Sequence, residues 1–264
     1  MSNIKKYLFV GNLFFTYEND IPQGAGYRLF SAQHLCIMLV CAIIIATFIC
    51  IYCHIGGDCR TKLRRDTAYT AVGLIALRMV YVYLCQAEMR YELPLHLCSI
   101  AGIMCLLYEQ LKGKMPHFIK STLEQVLFSL CLPGALLAIV FSDGTRYPAV
   151  HFITIQSNLY HVLVITYIIF LLIDGNIRPD VKEAYKSIIF LVIMVPVVYT
   201  ADRIIGANYM FLLKPSYGSP FTDVYSAYGY AAYMLCYAIT VIAEIYLINI
   251  IASSFMKGKG MQAC

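Results

Sequence analysis

The chain has no tryptophan and little charge: only 13% of its 264 residues are Asp, Glu, Lys or Arg, about half the share of an ordinary soluble domain. With 60% hydrophobic residues and a mean hydropathy of +0.70, a soluble core has nowhere to put the excess apolar surface. No polar stretch reaches the roughly 50 residues that a separate soluble domain needs. Paired zinc-ligand spacing is also missing. Cys53, His54 and Cys59 surround Gly56 and Gly57 without a second ligand pair, so neither a metal nor a cofactor is called for. The 11 cysteines fall irregularly, mostly inside apolar runs, which suits small apolar packing and not a disulfide framework. Nor is there a basic groove with interleaved aromatics, so no nucleic acid is implied by the net charge of +5.

What is present are seven apolar stretches of membrane-spanning length, at roughly 35–54, 67–87, 93–111, 121–141, 152–173, 184–205 and 228–251. The expected fold class is all-α, a polytopic integral membrane helical bundle of about seven transmembrane helices. Residues 1–33 are expected as an N-terminal interfacial segment, and residues 34–264 as a single transmembrane helical domain. Lys5 and Lys6 precede a short apolar run, but Gly11 and Asn12 interrupt it and no small-residue cleavage pattern follows, so the segment reads as retained. The 22 tyrosines take over the aromatic belt. Tyr81, Tyr83, Tyr91, Tyr147, Tyr160, Tyr225, Tyr228 and Tyr230 lie near outer span ends and are expected as interface anchors.

Orientation follows from the basic residues, which resist translocation. Of the 20 Lys and Arg, the end carrying Arg60, Lys62, Arg64 and Arg65 has 12 and the end carrying the N-terminus has 7, with Arg78 inside a span. The cell membrane location expected for a bacterial chain then has the N-terminus outside and the C-terminus cytoplasmic. Membrane lipids are the expected partners, and the oligomeric state is not legible.

Ionisable residues inside spans are costly and mark sites. The third span opens through Glu92, Pro94, His96, Cys98 and Ser99. In the fifth, Thr154, Ser157, Asn158 and His161 recur at i, i+3, i+4 and i+7, a polar stripe descending about 10 Å with Gln156 beside it. Arg78, in mid-span, requires a partner such as Asp143, Asp202 or a bound anion. Pro133 with Gly134, and Pro196, are expected to kink the fourth and sixth helices. Between the sixth and seventh spans, Asn208 to Phe211 and Lys214 to Pro220 form the longest link, apolar enough for a re-entrant or lid-like element. The expected site therefore comprises His96, His161 and Cys98 as catalytic candidates and Arg78, Gln156, Asn158, Asn208 and Lys214 as substrate-binding candidates. His96 and His161 are expected to line one cavity with Asn208 at its rim.

The strings Leu93-Pro94-Leu95-His96-Leu97-Cys98-Ser99, His151 to His161, Asn208-Tyr209-Met210-Phe211-Leu212 and Phe30-Ser31-Ala32-Gln33-His34 resemble the YwaF-like family of bacterial integral membrane proteins. More distantly they resemble an animal transmembrane family described as a cysteine-dependent acyltransferase that remodels ether phospholipids. The resemblance implies a nucleophilic Cys directly before the third-span His; here that position is Leu95, and Cys98 lies on another face of the helix. His96 matches the motif histidine. A Trp-rich string expected before the last span is replaced by Tyr225 to Tyr230. The function read from these features is action on lipid acyl or headgroup bonds, as a lipid acyltransferase or lipid hydrolase, with histidine as acid and base. The alternative is a transporter or small-ligand-binding membrane protein, against which stand the missing internal repeat and the odd number of spans.

Overall fold

Apolar runs with no water around their backbone fold as helices, because the i→i−4 ladder pairs every N–H and C=O within the segment. The computed structural model describes residues 13–17, 20–216 and 219–258, apart from the side chains of 143 and 256–258, and every regular element among them is helical. Seven main helices run in order: α1 (Ala32–His54), α2 (Gly57–Leu84), α3 (Leu97–Leu111), α4 in three segments (His117–Val126, Leu127–Cys131 and Leu132–Val140), α5 (Phe152–Ile173), α6 (Tyr185–Ile205) and α7 (Phe221–Gly258). All but α3 are long and apolar enough to cross a membrane. The chain is a multi-pass helical membrane protein. At 15 residues, α3 rises only about 22 Å, less than the hydrocarbon thickness.

Helix α5 is the central post. Fifteen of its 22 residues are buried, and it packs against α1, α2, α3 and α4. A helix surrounded by others can bury a polar stripe as well as its apolar faces, because that stripe meets protein and not lipid. By contrast α1, α6 and α7 present Leu39, Ile43, Val192, Ile204, Leu235 and Leu247 outward, the surface a bundle offers to lipid. Among residues 13–31 of the interfacial segment, the buried Tyr27 donates its hydroxyl to Ser142 at 3.0 Å; residues 1–12 of that segment lie outside the described residues. We call the end where α1, α3, α5 and α7 begin the upper end.

Two sequence expectations need correction. Helix α2 begins at Gly57, ten residues ahead of the expected span, so Arg60 to Arg65 are helical and not a loop. Tyr81, Tyr147 and Tyr160 are buried at 5%, 6% and 5% exposure and belong to the core, whereas Tyr83, Tyr91 and Tyr228 are exposed as anchors should be. In α4 the disturbance takes the form of a five-residue π-helical turn, Leu127–Cys131, just before Pro133. A wider turn accommodates a residue that brings no N–H to the ladder.

At the lower end, Arg64 is buried between two carboxylates. Its Nε donates to Glu109 Oε2 at 2.9 Å and its Nη1 pairs with Asp174 Oδ2. Tyr52 donates to Asp174 at 2.5 Å, Tyr167 to Glu109 at 3.0 Å, and Lys112 pairs with Glu109 at 3.0 Å. Four helices are thus joined by a neutral set of two cations and two carboxylates. Removing one partner of a buried pair costs about 3–5 kcal/mol because its counter-charges remain. Arg64→Met is therefore expected to lower the thermal unfolding temperature in detergent sharply. The double variant Arg64→Met/Glu109→Gln, which withdraws one stranded carboxylate, should recover part of the loss in the same measurement.

Candidate functional site

Because α3 is short, the chain reaches it at the upper end through non-helical backbone, residues 85–96, including the 3-10 turn Met89–Tyr91. Non-helical backbone at membrane depth persists only where protein or a wet cavity satisfies it. Here Arg78 forms a two-pronged ion pair with Glu92, Nε to Oε2 at 2.6 Å and Nη2 to Oε1 at 3.0 Å, and Tyr17 donates to the same carboxylate at 3.3 Å. The partner of Arg78 is thus Glu92. Asp202 instead accepts from the Tyr209 N–H at 2.8 Å, and the side chain of Asp143 lies outside the described residues.

The link between α6 and α7 folds back onto this segment. Gly206 ends α6 with φ +70, and the chain enters the 3-10 turn Tyr209–Phe211, in which Met210 and Phe211 both have positive φ, 51° and 56°. Tyr209 is buried, and its hydroxyl accepts from the Leu93 N–H at 2.7 Å while donating to the Arg90 carbonyl at 2.8 Å. Burial pushes the Tyr209 phenol up to about 12, so it stays a hydroxyl able to do both. The link between α6 and α7 thus packs its described residues against the segment that leads into α3.

His96 caps the start of α3 and meets the fold-back edge-on. Its ring lies 4.8 Å from Tyr209 at 67° and 5.8 Å from Phe211, and its Nδ1 accepts from the Met210 N–H at 3.4 Å. A backbone N–H only donates, so the neutral ring carries its proton on Nε2. A cavity of about 530 Å³ opens beside it, lined by Tyr91, His96, Gly206, Asn208, Phe211 and Lys214 among others. Lys214 is exposed at this mouth. Asn208 is committed to the loop: Oδ1 accepts from Leu213 N–H at 2.9 Å and Lys214 N–H at 3.2 Å, and Nδ2 donates to the Lys214 carbonyl at 2.9 Å.

His161 does not contribute to that lining. It is buried in α5, and its Nδ1–H donates to the Ser157 carbonyl at 2.7 Å, which leaves the lone pair on Nε2 with no partner among the described residues. The polar stripe of α5 divides among neighbours. Thr154 donates to the Pro148 carbonyl, Asn158 donates to Thr154 and accepts from the Cys41 thiol, and Gln156 donates to Leu74 on α2 at 3.0 Å. Cys98 sits in the first turn of α3 and is partly buried. Its carbonyl accepts the Tyr160 hydroxyl, which itself accepts from the Gly102 N–H at 3.0 Å, so Tyr160 stands between two groups that an unbroken helix pairs directly. Gly102 is required there: a Cβ would lie 2.6 Å from the Tyr160 hydroxyl.

Two other histidines are structural. His34, fully buried, accepts from the Phe30 N–H at 2.9 Å and donates to the Ile139 carbonyl at 3.1 Å. His151 accepts from the Ile153 N–H at 3.0 Å as the cap of α5 and donates to the Thr16 carbonyl at 2.8 Å. The residues that sequence reading missed are Glu92, Tyr209 and the tyrosines of α7 that meet the fold-back. The available signal was the number of tyrosines in the last span, too many for a belt at one depth.

His151 yields a pH prediction. Burial holds its pKa below the ordinary 6.5, and its accepting Nδ1 requires the neutral ring. Because the folded value is depressed, the stability it provides is present above about 6.5 and is lost as pH falls through that value toward the folded pKa. Thermal unfolding measured from about pH 7.5 to about pH 5.5 is expected to show a decline that is shallower in His151→Asn, which keeps a cap acceptor without the titration.

No curated protein and no solved structure matches the chain. The model of the TMEM164 family, a family of transmembrane proteins, matches residues 29–249, covering the fold-back, His96 and all seven helices but the end of α7, and the chain belongs to that family.

Proposed function

We propose that the chain acts on acyl bonds of membrane lipids, as an acyltransferase or hydrolase, in the cavity beside His96. The observation that carries this reading is an imidazole fixed on the wall of a cavity at the upper end of a membrane bundle, with its N–H tautomer determined by the backbone. The likeness of the His96 string to the YwaF-like family and to the animal lipid acyltransferases supports it.

The tautomer changes the role expected of His96. With Nδ1 accepting from Met210, the ring offers an Nε2–H and no lone pair, so it serves as a hydrogen-bond donor to a lipid ester carbonyl instead of as a base. In transfer, the acceptor hydroxyl oxygen bonds to the carbonyl carbon, the bond to the leaving oxygen breaks, and the hydroxyl proton ends on that leaving oxygen. In hydrolysis water replaces the acceptor. Lys214 at the mouth suits an anionic headgroup. His161 lies outside the cavity lining and takes no part in these steps, and Cys98 is the alternative nucleophile. Asn208 holds the loop that lines the cavity and Arg78 fixes Glu92, four residues before His96, whereas Gln156 and Asn158 make bonds around α5 outside the lining. On the charge asymmetry, the mouth opens away from the cytoplasm.

The second reading, transport or small-ligand binding, rests on the buried Nε2 of His161 and Oε1 of Gln156, which have no partner among the described residues and lie on α5 outside the cavity lining. Purified chain in nanodiscs carrying a labelled-acyl phospholipid and a lyso acceptor distinguishes the two. His96→Ala is expected to reduce transfer or hydrolysis by about 10²–10³, the range for losing one oxyanion donor, while Cys98→Ser leaves it nearly unchanged. A folded but inactive Cys98→Ser chain points to the thiol mechanism. Absence of any turnover by the unsubstituted chain, with labelled solute crossing vesicles, favours transport.

A further inference from the structure

We infer that Tyr230, Tyr233 and Tyr237 of α7 are positioning residues that lock Met210 and Phe211 in the left-handed conformation and so set which nitrogen of His96 bears the proton. The three tyrosines are spaced at i, i+3 and i+7, one face of a helix. Their hydroxyls donate to three consecutive carbonyls: Tyr237 to Met210 at 3.3 Å, Tyr233 to Phe211 at 2.5 Å and Tyr230 to Leu212 at 3.0 Å. No helix or sheet pairs these groups with one another in that order, so the match of three donors to three successive acceptors specifies one loop conformation.

That conformation is an unfavourable one. Met210 at φ 51° and Phe211 at φ 56° occupy a region that costs bulky L residues free energy, and such residues persist there only where the surroundings over-determine them. While the Met210 carbonyl faces α7, its N–H faces His96 Nδ1. If the loop relaxed to negative φ, that amide would rotate away and Nδ1 would lose the donor that keeps it unprotonated. The ladder is backed from behind. Gly229, at φ +81, breaks α7 immediately before Tyr230, and the preceding turns return Phe221 to within 6.0 Å of the Tyr233 ring and 5.5 Å of the Tyr237 ring, with Tyr225 at 5.9 Å from Tyr233. Phenylalanine at 233 or 237 keeps those ring contacts and removes only the hydroxyl.

This inference deepens the reading of His96 as an N–H donor, and its test reads the tautomer, not turnover, so the two fail separately. The full chain in nanodiscs is labelled with [¹⁵N]histidine, and the His96 imidazole signals are assigned by their loss in His96→Gln. The unsubstituted chain is expected to show a non-protonated Nδ1 and a protonated Nε2. In Tyr233→Phe/Tyr237→Phe those signals should move toward averaging of both tautomers, whereas Tyr225→Phe should leave them in place. Adding Met210→Gly to the double variant should move the signals part of the way back, since glycine at 210 adopts positive φ at no steric cost. If the double variant does not fold, Tyr237→Phe alone gives the same reading on the Met210 carbonyl. An unchanged His96 tautomer in a folded ladder variant overturns the proposal. A shifted tautomer in a chain without any acyl activity upholds it and defeats the enzymatic reading alone.

Discussion

Satisfying non-helical backbone inside a membrane bundle is the constraint on which the upper end of this protein depends. An unpaired amide in hydrocarbon costs several kcal/mol, and two irregular segments, 85–96 and 206–216, meet there. Each supplies what the other lacks. Tyr209 takes the N–H of Leu93 and the carbonyl of Arg90, and the Met210 N–H takes a ring nitrogen of His96. Asp202, in the last turn of α6, accepts from the Tyr209 N–H, and Asn208 closes the turn to Lys214 from within the link. A wall made of loop backbone, and not of helix, is what leaves room for a cavity with an imidazole on its side.

The two arginines within spans show how the bundle tolerates charge. Arg78 at the upper end and Arg64 at the lower end each bind carboxylates from another segment, so the cost of desolvating the guanidinium is offset by paired hydrogen bonds. Their consequences differ. Arg64 ties four helices together at the lower end, away from His96, whereas Arg78 fixes Glu92, four residues before His96. The same side-chain chemistry is architectural in one place and orients the candidate site in the other.

Hydropathy was sufficient for the seven helices, because exclusion of water dictates helix over every apolar run of that length. It failed where charge and helix coincide. Arg60 to Arg65 read as a loop by polarity, yet Arg64 is buried against Glu109 and Asp174, carboxylates from distant parts of the chain that no local pattern associates with it. Histidine roles were equally illegible. His34, His96, His151 and His161 look alike in sequence, and what separates them is the group each ring nitrogen meets: two backbone groups for His34 and His151, a single carbonyl leaving a lone pair for His161, and a strained loop amide for His96. The fold-back was foreshadowed by the apolar residues between the prolines and glycines of the link, but not its dependence on α7 tyrosines, since tyrosine near a span end reads first as an interface anchor.

The central claim is that membrane lipid occupies the cavity walled by His96 and the fold-back. Photocrosslinking with a diazirine-bearing phospholipid in nanodiscs, mapped by peptide mass spectrometry, tests it most directly. Adducts are expected on Tyr91, Phe211 and Leu213, which line the cavity, and should diminish when an excess of unlabelled phospholipid competes. Labelling confined to the outward faces of α1, α6 and α7, with none on those lining residues, would contradict it.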